Sequence, residues 1–337
     1  MDKSLRILVY DSDDLSVGST RVFSYGIYRD LKELGFSVHY GIFDDTDGFD
    51  IVIYGKNYKN ILCKDTTSHI KIQIQPSDLT DKYLSQCLKA DYWIVGSYEE
   101  LDYYAKYNIP TFYYPLLEKF NLPSRNISNT DEIIISYHGN KQHLESLSPP
   151  LIAALEKISS KFDIKFHAIY DVQKLGIWKK SRPDINIKDI QWNIDTIITE
   201  IVNSDIGIVP FSTPIPNLLA SFTKKITGLL LPHTGAHVQD YLLQFKKCTN
   251  PGRIYLFQQC KVPVIAEIST AACSAIQNED YGFIVYSYDG WMRALNILCS
   301  NKEKRKEIAE NSFKYVSGLS SVKFVKDMIK YIKGNNI

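Results

Sequence analysis

Short apolar strands alternate with amphipathic helical segments along most of the chain, and this alternation constrains the fold more than any other feature. The stretch RILVY near the start is a buried strand, and TRVFSYGIYRDLKELG has helical spacing that stops at Gly35. The runs SVHYGIF, IVIYG, IKIQIQ and YWIVGS predict further strands, while TDKYLSQCLKA and YEELDYYAKYN predict helices. Strands separated by helices form parallel sheets covered on both faces, so the sequence predicts an α/β fold.

A polar segment without periodicity, residues 118–132, interrupts the alternation and predicts a linker. Beyond it the pattern begins again with IIISYHG, PPLIAALEKISSKF and IKFHAIY. A chain of 337 residues also has the length of about two domains. We therefore predict two Rossmann-like domains with parallel sheets that face a central cleft, over residues 1–125 and 126–316.

The composition argues against several classes of protein. The formal net charge of +1 gives no surface-wide attraction for nucleic acid. The six cysteines are scattered without a C-x-x-C pair, which is typical of reduced thiols and not of disulfides or a zinc site. The first residues include no apolar leader, and no apolar run is long enough to span a bilayer. We expect a cytoplasmic protein, and peripheral contact with the inner face of a membrane stays open.

The loop after the first strand of the first domain is rich in polar residues. It reads DSDDLSVGSTR, contains Asp11, and leads into a helix start with Gly18, Ser19, Thr20 and Arg21. Like its counterpart in the second domain, it lacks the G-x-G-x-x-G fingerprint of dinucleotide binding.

The counterpart loop in the second domain reads SYHGNKQHLESLSPP. Gly139 permits close approach of the backbone, and the N–H groups around Asn140 and Lys141 are candidates for binding a phosphate. His138 stands just before them and is a candidate for acting near that phosphate. The alternatives are an ordinary tight turn and a loop histidine whose hydrogen bonds are satisfied.

The stretch NPGRIYLFQQCKVPVIAE combines a helix start with a buried strand. Thr249 or Asn250 is a candidate N-cap, and Pro251 suits the first helical position. Lys247 and Arg253 flank the positive end of the helix dipole, which is the arrangement that binds a phosphate. The alternative is a solvated basic helix start.

The order and spacing of these segments resemble the GT-B glycosyltransferases, and among them the family-4-like group. The resemblance is carried by DIQWNIDTIITEIVNSDIGIVPF, NPGRIYLFQQCKVPVIAE and YGFIVYSYDGWMRAL, and in the first half by ADYWIVGSYEELDYYAKYNIPTFYYPLLEK. It implies an N-terminal acceptor domain, with the loop of Asp11 and Arg21 on the acceptor side. It also implies a C-terminal domain that binds a nucleotide-sugar donor without a metal or other cofactor. The last helix, residues 317–337, would cross back to the first domain.

One feature departs from that group. Its members carry two glutamates eight positions apart around the donor helix, and the second glutamate binds the ribose. Cys248 and Leu256 stand at those positions, and neither offers a carboxylate. The resemblance therefore retains phosphate binding by Lys247, Asn250 and Arg253 but leaves the ribose without its usual partner.

Glycosyl transfer places charge on a departing phosphate, and an inverting enzyme also needs a base for the acceptor proton. Asp78, in QIQPSD, is the preferred base, ahead of Asp11, Asp13 and Asp14. Each of these carboxylates is equally suited to a helix cap or an Asx-turn. His138 is the second catalytic candidate.

Two other features are interpreted as structural. HTGAH has the His spacing of a helical metal site, but the neighbouring Pro and Gly argue against a helix, so no metal is predicted. Trp192 and Trp291 are interpreted as packing residues.

The long connection at residues 212–249 suits a lid, an interface or a surface for a lipid-linked acceptor, and equally a folded insertion.

The leading hypothesis is a glycosyltransferase that moves a sugar to a glycan or lipid-linked glycan in bacterial surface polysaccharide synthesis. The alternatives are a sugar-nucleotide epimerase, another GT-B-like transferase, and a non-catalytic GT-B binding protein.

Overall fold

The computed structural model describes residues 4–76, 81–119, 132–211 and 250–336. These residues form two six-stranded sheets, and every strand pairing in them is parallel. The first sheet has the order β2-β1-β3-β4-β5-β6. Its strands are β1 Arg6–Tyr10, β2 Ser37–Tyr40, β3 Ile51–Tyr54, β4 Ile70–Ile74, β5 Tyr92–Val95 and β6 Thr111–Tyr113.

The second sheet has the order β12-β11-β10-β7-β8-β9. Its strands are β7 Ile133–His138, β8 Ile164–Tyr170, β9 Ile187–Gln191, β10 Ile206–Val209, β11 Val264–Glu267 and β12 Phe283–Val285. Strands β3, β5, β10 and β11 are buried at every position, as expected for parallel strands with helices on both faces. The predicted α/β class with two parallel sheets is confirmed.

The helices of the first half are α1 Gly26–Glu33, α2 Lys59–Lys64, α3 Asp81–Cys87 and α4 Tyr98–Ala105. Those of the second half are α5 Lys141–Leu144, α6 Pro149–Ser159, α7 Val172–Leu175, α8 Ile197–Val202, α9 Gly252–Gln259, α10 Thr270–Ala275, α11 Tyr288–Ser300, α12 Lys302–Ser317 and α13 Ser321–Asn336. The short elements β6, α2, α5 and α7 were not predicted, because a single turn or three residues show no periodicity.

The first predicted helix begins as a different structure. Residues Thr20–Tyr25 form a π-helical segment, and the α-helix α1 continues from Gly26. The segment buries Thr20, Phe23 and Ser24. The segment stands directly after the loop that faces the second sheet, so its irregular geometry determines how that loop is placed.

The last helix packs on the first half of the chain. Helix α13 lies against α1, and its residues Val325, Met328, Ile329 and Ile332 join the apolar core of the first sheet. Among the residues described, no helix combines the length and apolar character that crossing a bilayer requires.

Candidate functional site

A cavity of about 610 Å³ lies between the two sheets, at the carboxyl ends of their strands. Loops after β1, β3 and β4 line it from the first half of the chain. Loops after β7, β8 and β9 and the start of α9 line it from the second half. Parallel α/β sheets bind their ligands in such crevices outside the carboxyl ends of the strands.

Arg253 stands in the first turn of α9 and lines this cavity. Its Nη2 donates to the backbone oxygen of Pro210 at 3.1 Å, and its guanidinium lies 5.3 Å from the ring centre of Phe211 and 5.8 Å from that of Tyr137. Its Nη1 is buried and has no hydrogen-bond partner among the described residues. Burial lowers the pKa of Arg253, and the nearby Tyr137 and Glu267 oppose that shift. A buried donor left unpaired is costly, so this cation is suited to receive an anionic group.

His138 ends β7 and lies against the same helix. Its Nε2 is 3.4 Å from the backbone oxygen of Arg253, and its ring meets the ring of Phe257 edge-on at 5.0 Å. Burial, with the neighbouring charges of Arg253 and Arg21, lowers the pKa of His138 to about 3. His138 is therefore neutral near pH 7 and a weak base.

Gly139 is required by the geometry of its loop. Its φ of +139° is strained for any other residue, and an added Cβ would lie 2.8 Å from Tyr137 Oη and 3.2 Å from Arg253 Cδ. Its N–H donates to the backbone oxygen of Ile169 at 3.0 Å, so this amide belongs to the sheet. Asn140 lines the cavity and caps α5, where its Oδ1 accepts from the N–H of Gln142 at 2.9 Å.

Lys141 is not among the residues that line the cavity. Its Nζ donates to the backbone oxygen of Leu175 at 2.7 Å and lies 3.3 Å from Glu145 Oε1, so the side chain is directed toward the end of α7. Phosphate binding by the backbone N–H groups around Asn140 and Lys141 stays a prediction.

The start of α9 differs in detail from the prediction. Pro251 stands just before the helix and not at its first helical position. Asn250 lines the cavity, and its Oδ1 lies 3.4 Å from the Gly252 nitrogen, but the N-cap residue of α9 is Pro251, which makes no side-chain cap bond. Leu256, one turn after Arg253, is only 2% exposed and packs in an apolar cluster with Leu117 and Ile201.

On the first-half side, Gly18, Ser19 and Arg21 line the cavity, and their acceptor-side role stays a prediction. Arg21 donates from Nε and Nη2 to Glu118, with the Nη2–Oε1 distance 2.8 Å, and its guanidinium lies 5.1 Å from the ring of Trp192. Trp192 also lines the cavity, and it packs at the same time against the apolar cluster that contains Ile201 and Leu256, as predicted for a packing residue. Trp291, by contrast, is fully buried in the core of the second sheet, as predicted.

Asp11 and Thr20 are not among the residues that line the cavity, and the acceptor-side role of their loop stays a prediction. Asp11 Oδ2 accepts from Ser24 Oγ, and its Oδ1 accepts from the N–H of Ser12 at 2.8 Å. Thr20 is buried and also hydrogen-bonds to Asp11. Burial raises the pKa of Asp11. These bonds join the first loop to the π-helical segment, which gives the pair a structural role.

Other cavity residues were not predicted; they are Lys56, Gln75, Glu118, His143, Asp171 and Lys174. Lys56, Gln75 and Asp171 stand one or two residues after a strand end, which is a signal that the sequence contains. Gln75 has a φ of +47°, a left-handed conformation that is uncommon for glutamine and often found at functional sites. Asp171 Oδ1 accepts from the N–H of Lys174 at 3.1 Å and from Gln191 Nε2 at 3.2 Å.

Several predicted residues lie outside the described ranges, and their roles stay predictions. They are Asp78, Lys247, Cys248, Thr249, His233 and His237, together with the rest of residues 212–249. Among the residues that the structure does describe, no group of three or more His, Cys, Asp or Glu side chains is arranged to hold a metal ion.

No protein-family model matches the chain, and no curated protein matches its sequence. Solved structures do match. Sucrose-phosphate synthase from Thermosynechococcus elongatus has a TM-score of 0.64 at 11% identity, over 98% of both chains. Anabaena HepE, solved in complex with UDP and glucose, has a TM-score of 0.63 at 11% identity, over 98% of this chain and 99% of that one. A glycosyltransferase from Rickettsia africae has a TM-score of 0.61 at 16% identity, over 100% of both chains.

These neighbours are GT-B glycosyltransferases, and the match extends over both sheets and the cleft between them. With identities between 11% and 16%, the likeness establishes the architecture. The chain has the GT-B fold, with two Rossmann-like domains that face a central cavity.

Proposed function

We propose that this protein is a glycosyltransferase of the family-4-like group that uses a nucleotide-sugar donor. The observation that carries the proposal is Arg253, a cation whose buried Nη1 has no hydrogen-bond partner among the described residues, in the first turn of a helix that opens on the inter-sheet cavity. HepE, a structural neighbour, was solved with UDP and with UDP-glucose, which supports a donor of this class. The second half of the chain binds the donor and the first half the acceptor.

The donor diphosphate is the group that Arg253 would meet. Charge develops on that diphosphate as the sugar leaves, and fixed cations and helix N-termini stabilise such charge. Arg253 and the first turn of α9 supply one side of this environment, and Lys174, an exposed cavity residue, supplies a second cation. Lys247 and Thr249 remain proposed partners of the same phosphates. No metal is required in this scheme.

We assign His138 a positioning role. A side chain with a pKa of about 3 is poorly matched to proton transfer near pH 7, but its contact with the Arg253 backbone holds the start of α9. Asp78 remains the proposed base if the reaction inverts the sugar configuration. His138→Gln should keep most of the activity, whereas Asp78→Asn should remove it; the reverse pattern would return the catalytic role to His138.

The ribose needs a partner other than residue 256. In the family-4-like alignment Leu256 replaces the ribose-binding glutamate, and its side chain is packed among apolar residues. Among the described residues that line the second-half side of the cavity, Asp171 carries a carboxylate. Hydrogen bonds from Gln191 and from the N–H of Lys174 hold this carboxylate in place. We propose that Asp171 contacts the nucleoside.

A thermal-shift panel of UDP, GDP, CMP and dTDP tests the proposal. A nucleotide at about 100 times its dissociation constant should add about 2.7 kcal/mol of stability, which is a Tm rise of about 3 to 6 °C. Hydrolysis of the matching nucleotide sugar then tests for catalysis. If no nucleotide raises the Tm, the proposed donor site is wrong.

The second candidate is a non-catalytic GT-B protein, and the observation that favours it is the apolar packing of Leu256. It predicts nucleotide binding without hydrolysis or transfer.

For the enzyme, we propose a glycan or lipid-linked glycan acceptor in bacterial surface polysaccharide synthesis. Radiolabelled sugar transfer to lipid extracts tests that acceptor class, and transfer only to water would contradict it.

A further inference from the structure

The segment from Lys174 to Lys180 presents aliphatic side chains and lysines to solvent at the mouth of the cavity. Ile177 is 58% exposed and Leu175 is 40% exposed. Lys174, Lys179 and Lys180 are exposed around them. We call residues 174–180 the basic loop. Single exposed aliphatic residues are common, but two of them within a group of lysines are not explained by the fold.

The basic loop is firmly anchored beneath its exposed side chains. Trp178 is fully buried, its backbone N–H donates to Tyr170 Oη at 2.7 Å, and its Nε1 donates to the backbone oxygen of Lys180 at 2.6 Å. Arg182 lies 5.2 Å from the Trp178 ring and pairs with Asp189 at 2.8 Å. The aliphatic residues are therefore held outward by a rigid base.

The charge at the tip of the basic loop comes from Lys179 and Lys180. Among the described residues, neither of them takes part in an ion pair. Lys174 contributes to lowering the pKa of Asp14, so its own charge is partly offset. The tip thus combines positive charge with exposed aliphatic side chains, which is the chemistry that recognises an anionic lipid surface.

We propose that the basic loop docks this protein on an anionic bilayer, with Ile177 inserted at the interface and Lys179 and Lys180 among the lipid headgroups. Leu175 and Val17, both exposed, line opposite sides of the cavity, so docking here places the cavity mouth against the membrane. A lipid-linked acceptor would then reach the site proposed above. Docking itself needs no nucleotide, so its failure and the failure of the transferase proposal are distinguishable.

Co-sedimentation of the full chain with vesicles tests the proposal. Vesicles of phosphatidylcholine with phosphatidylglycerol should bind the protein, and pure phosphatidylcholine should bind it far more weakly. Lys179→Ala with Lys180→Ala should lower the partition coefficient about 25-fold, because each lysine near an anionic surface contributes about fivefold. Ile177→Ser should lower it about fivefold. Ile177→Trp should raise it, a gain that misfolding would not produce.

A rival basic surface provides the matched control. Helix α13 exposes Lys326 and Lys330 on its outer face. Lys326→Ala with Lys330→Ala removes the same charge as the loop pair and should leave vesicle binding within about twofold. Equal binding to neutral and anionic vesicles, or loss of binding only in the α13 variant, would overturn the proposal. Unchanged Tm values establish that each variant is folded.

Discussion

Arg21 and Glu118 lie 97 positions apart in sequence and form a forked ion pair with an Nη2–Oε1 distance of 2.8 Å. The backbone of Glu118 is bonded at the same time to the last residue of α9: its N–H donates to Gln259 Oε1 at 3.1 Å, and its oxygen accepts from Gln259 Nε2 at 3.0 Å. Glu118 therefore joins Arg21 in the first half of the chain to α9 in the second half.

The Arg21–Glu118 pair should contribute strongly to stability. Its side chains are only 13% and 5% exposed, so Glu118→Ala removes the carboxylate partner of a nearly buried guanidinium and should lower the free energy of unfolding by about 3 kcal/mol. Urea denaturation measures this. The exposed Arg293–Glu279 pair is the control, and Glu279→Ala should cost about 1 kcal/mol or less. Equal losses in both variants would show that the Arg21–Glu118 pair has no special role.

Gly139→Ala should destabilise the protein by about 2 kcal/mol, because the new Cβ meets Tyr137 and Arg253 and the backbone has a positive φ. It should also weaken nucleotide binding by displacing Arg253. Gly18→Ala is the matched control, since an added Cβ there meets nothing within 4 Å. Thermal denaturation of both variants is the measurement. If Gly139→Ala is as stable as Gly18→Ala, the assigned loop geometry is wrong.

His138 should make stability depend on pH below neutrality. Its pKa is about 3 in the folded protein and about 6.5 when unfolded, so the unfolded chain binds a proton that the folded protein does not. This contribution is constant above pH 6.5 and lowers stability as the pH falls toward 3. At pH 5 the free energy of unfolding should be about 2 kcal/mol lower than above pH 6.5 because of this one residue. His138→Gln should remove this pH dependence, which is measured by the urea midpoints at pH 5 and pH 7.5. If the difference between the two midpoints is the same in the variant and the wild type, the low pKa of His138 is wrong.

Leu256→Glu tests whether the lost glutamate position still faces a ligand. The side chain lies in an apolar cluster, so a carboxylate there should cost about 3 kcal/mol or more and should not improve nucleotide affinity. Leu256→Met, of similar volume, should cost less than about 1.5 kcal/mol. Denaturation and calorimetric titration measure the two effects. A stable glutamate variant with tighter nucleotide binding would place residue 256 in the site.

The fold was predictable because its signals are local. Strands such as Ile51–Tyr54 and Tyr92–Val95 are continuous apolar runs, and sequence alone identifies such runs as fully covered parallel strands. The start of α9 near Arg253 was also predictable, since helix-start chemistry depends on neighbours within a few residues, although Pro251 and not Asn250 is its N-cap.

Side-chain directions at the cavity were not predictable. A carboxylate after a strand has the same sequence signal whether it faces a cleft or, like Asp11, bonds to Ser24. Trp192 lines the cavity because Arg21 of the other domain lies over its ring, a contact that no local pattern encodes. Lys141 is directed by a carbonyl more than thirty positions away. Such contacts depend on the assembled domains.

The most direct test of the central claim is the dissociation constant for UDP, measured by calorimetric titration of wild type and Arg253→Met. Methionine keeps apolar contact with Tyr137 and Phe211 but removes the cation. We predict UDP binding by the wild type and a loss of about tenfold or more in affinity for the variant, with Arg293→Met unchanged. Equal UDP affinity in wild type and Arg253→Met would contradict the proposed phosphate site.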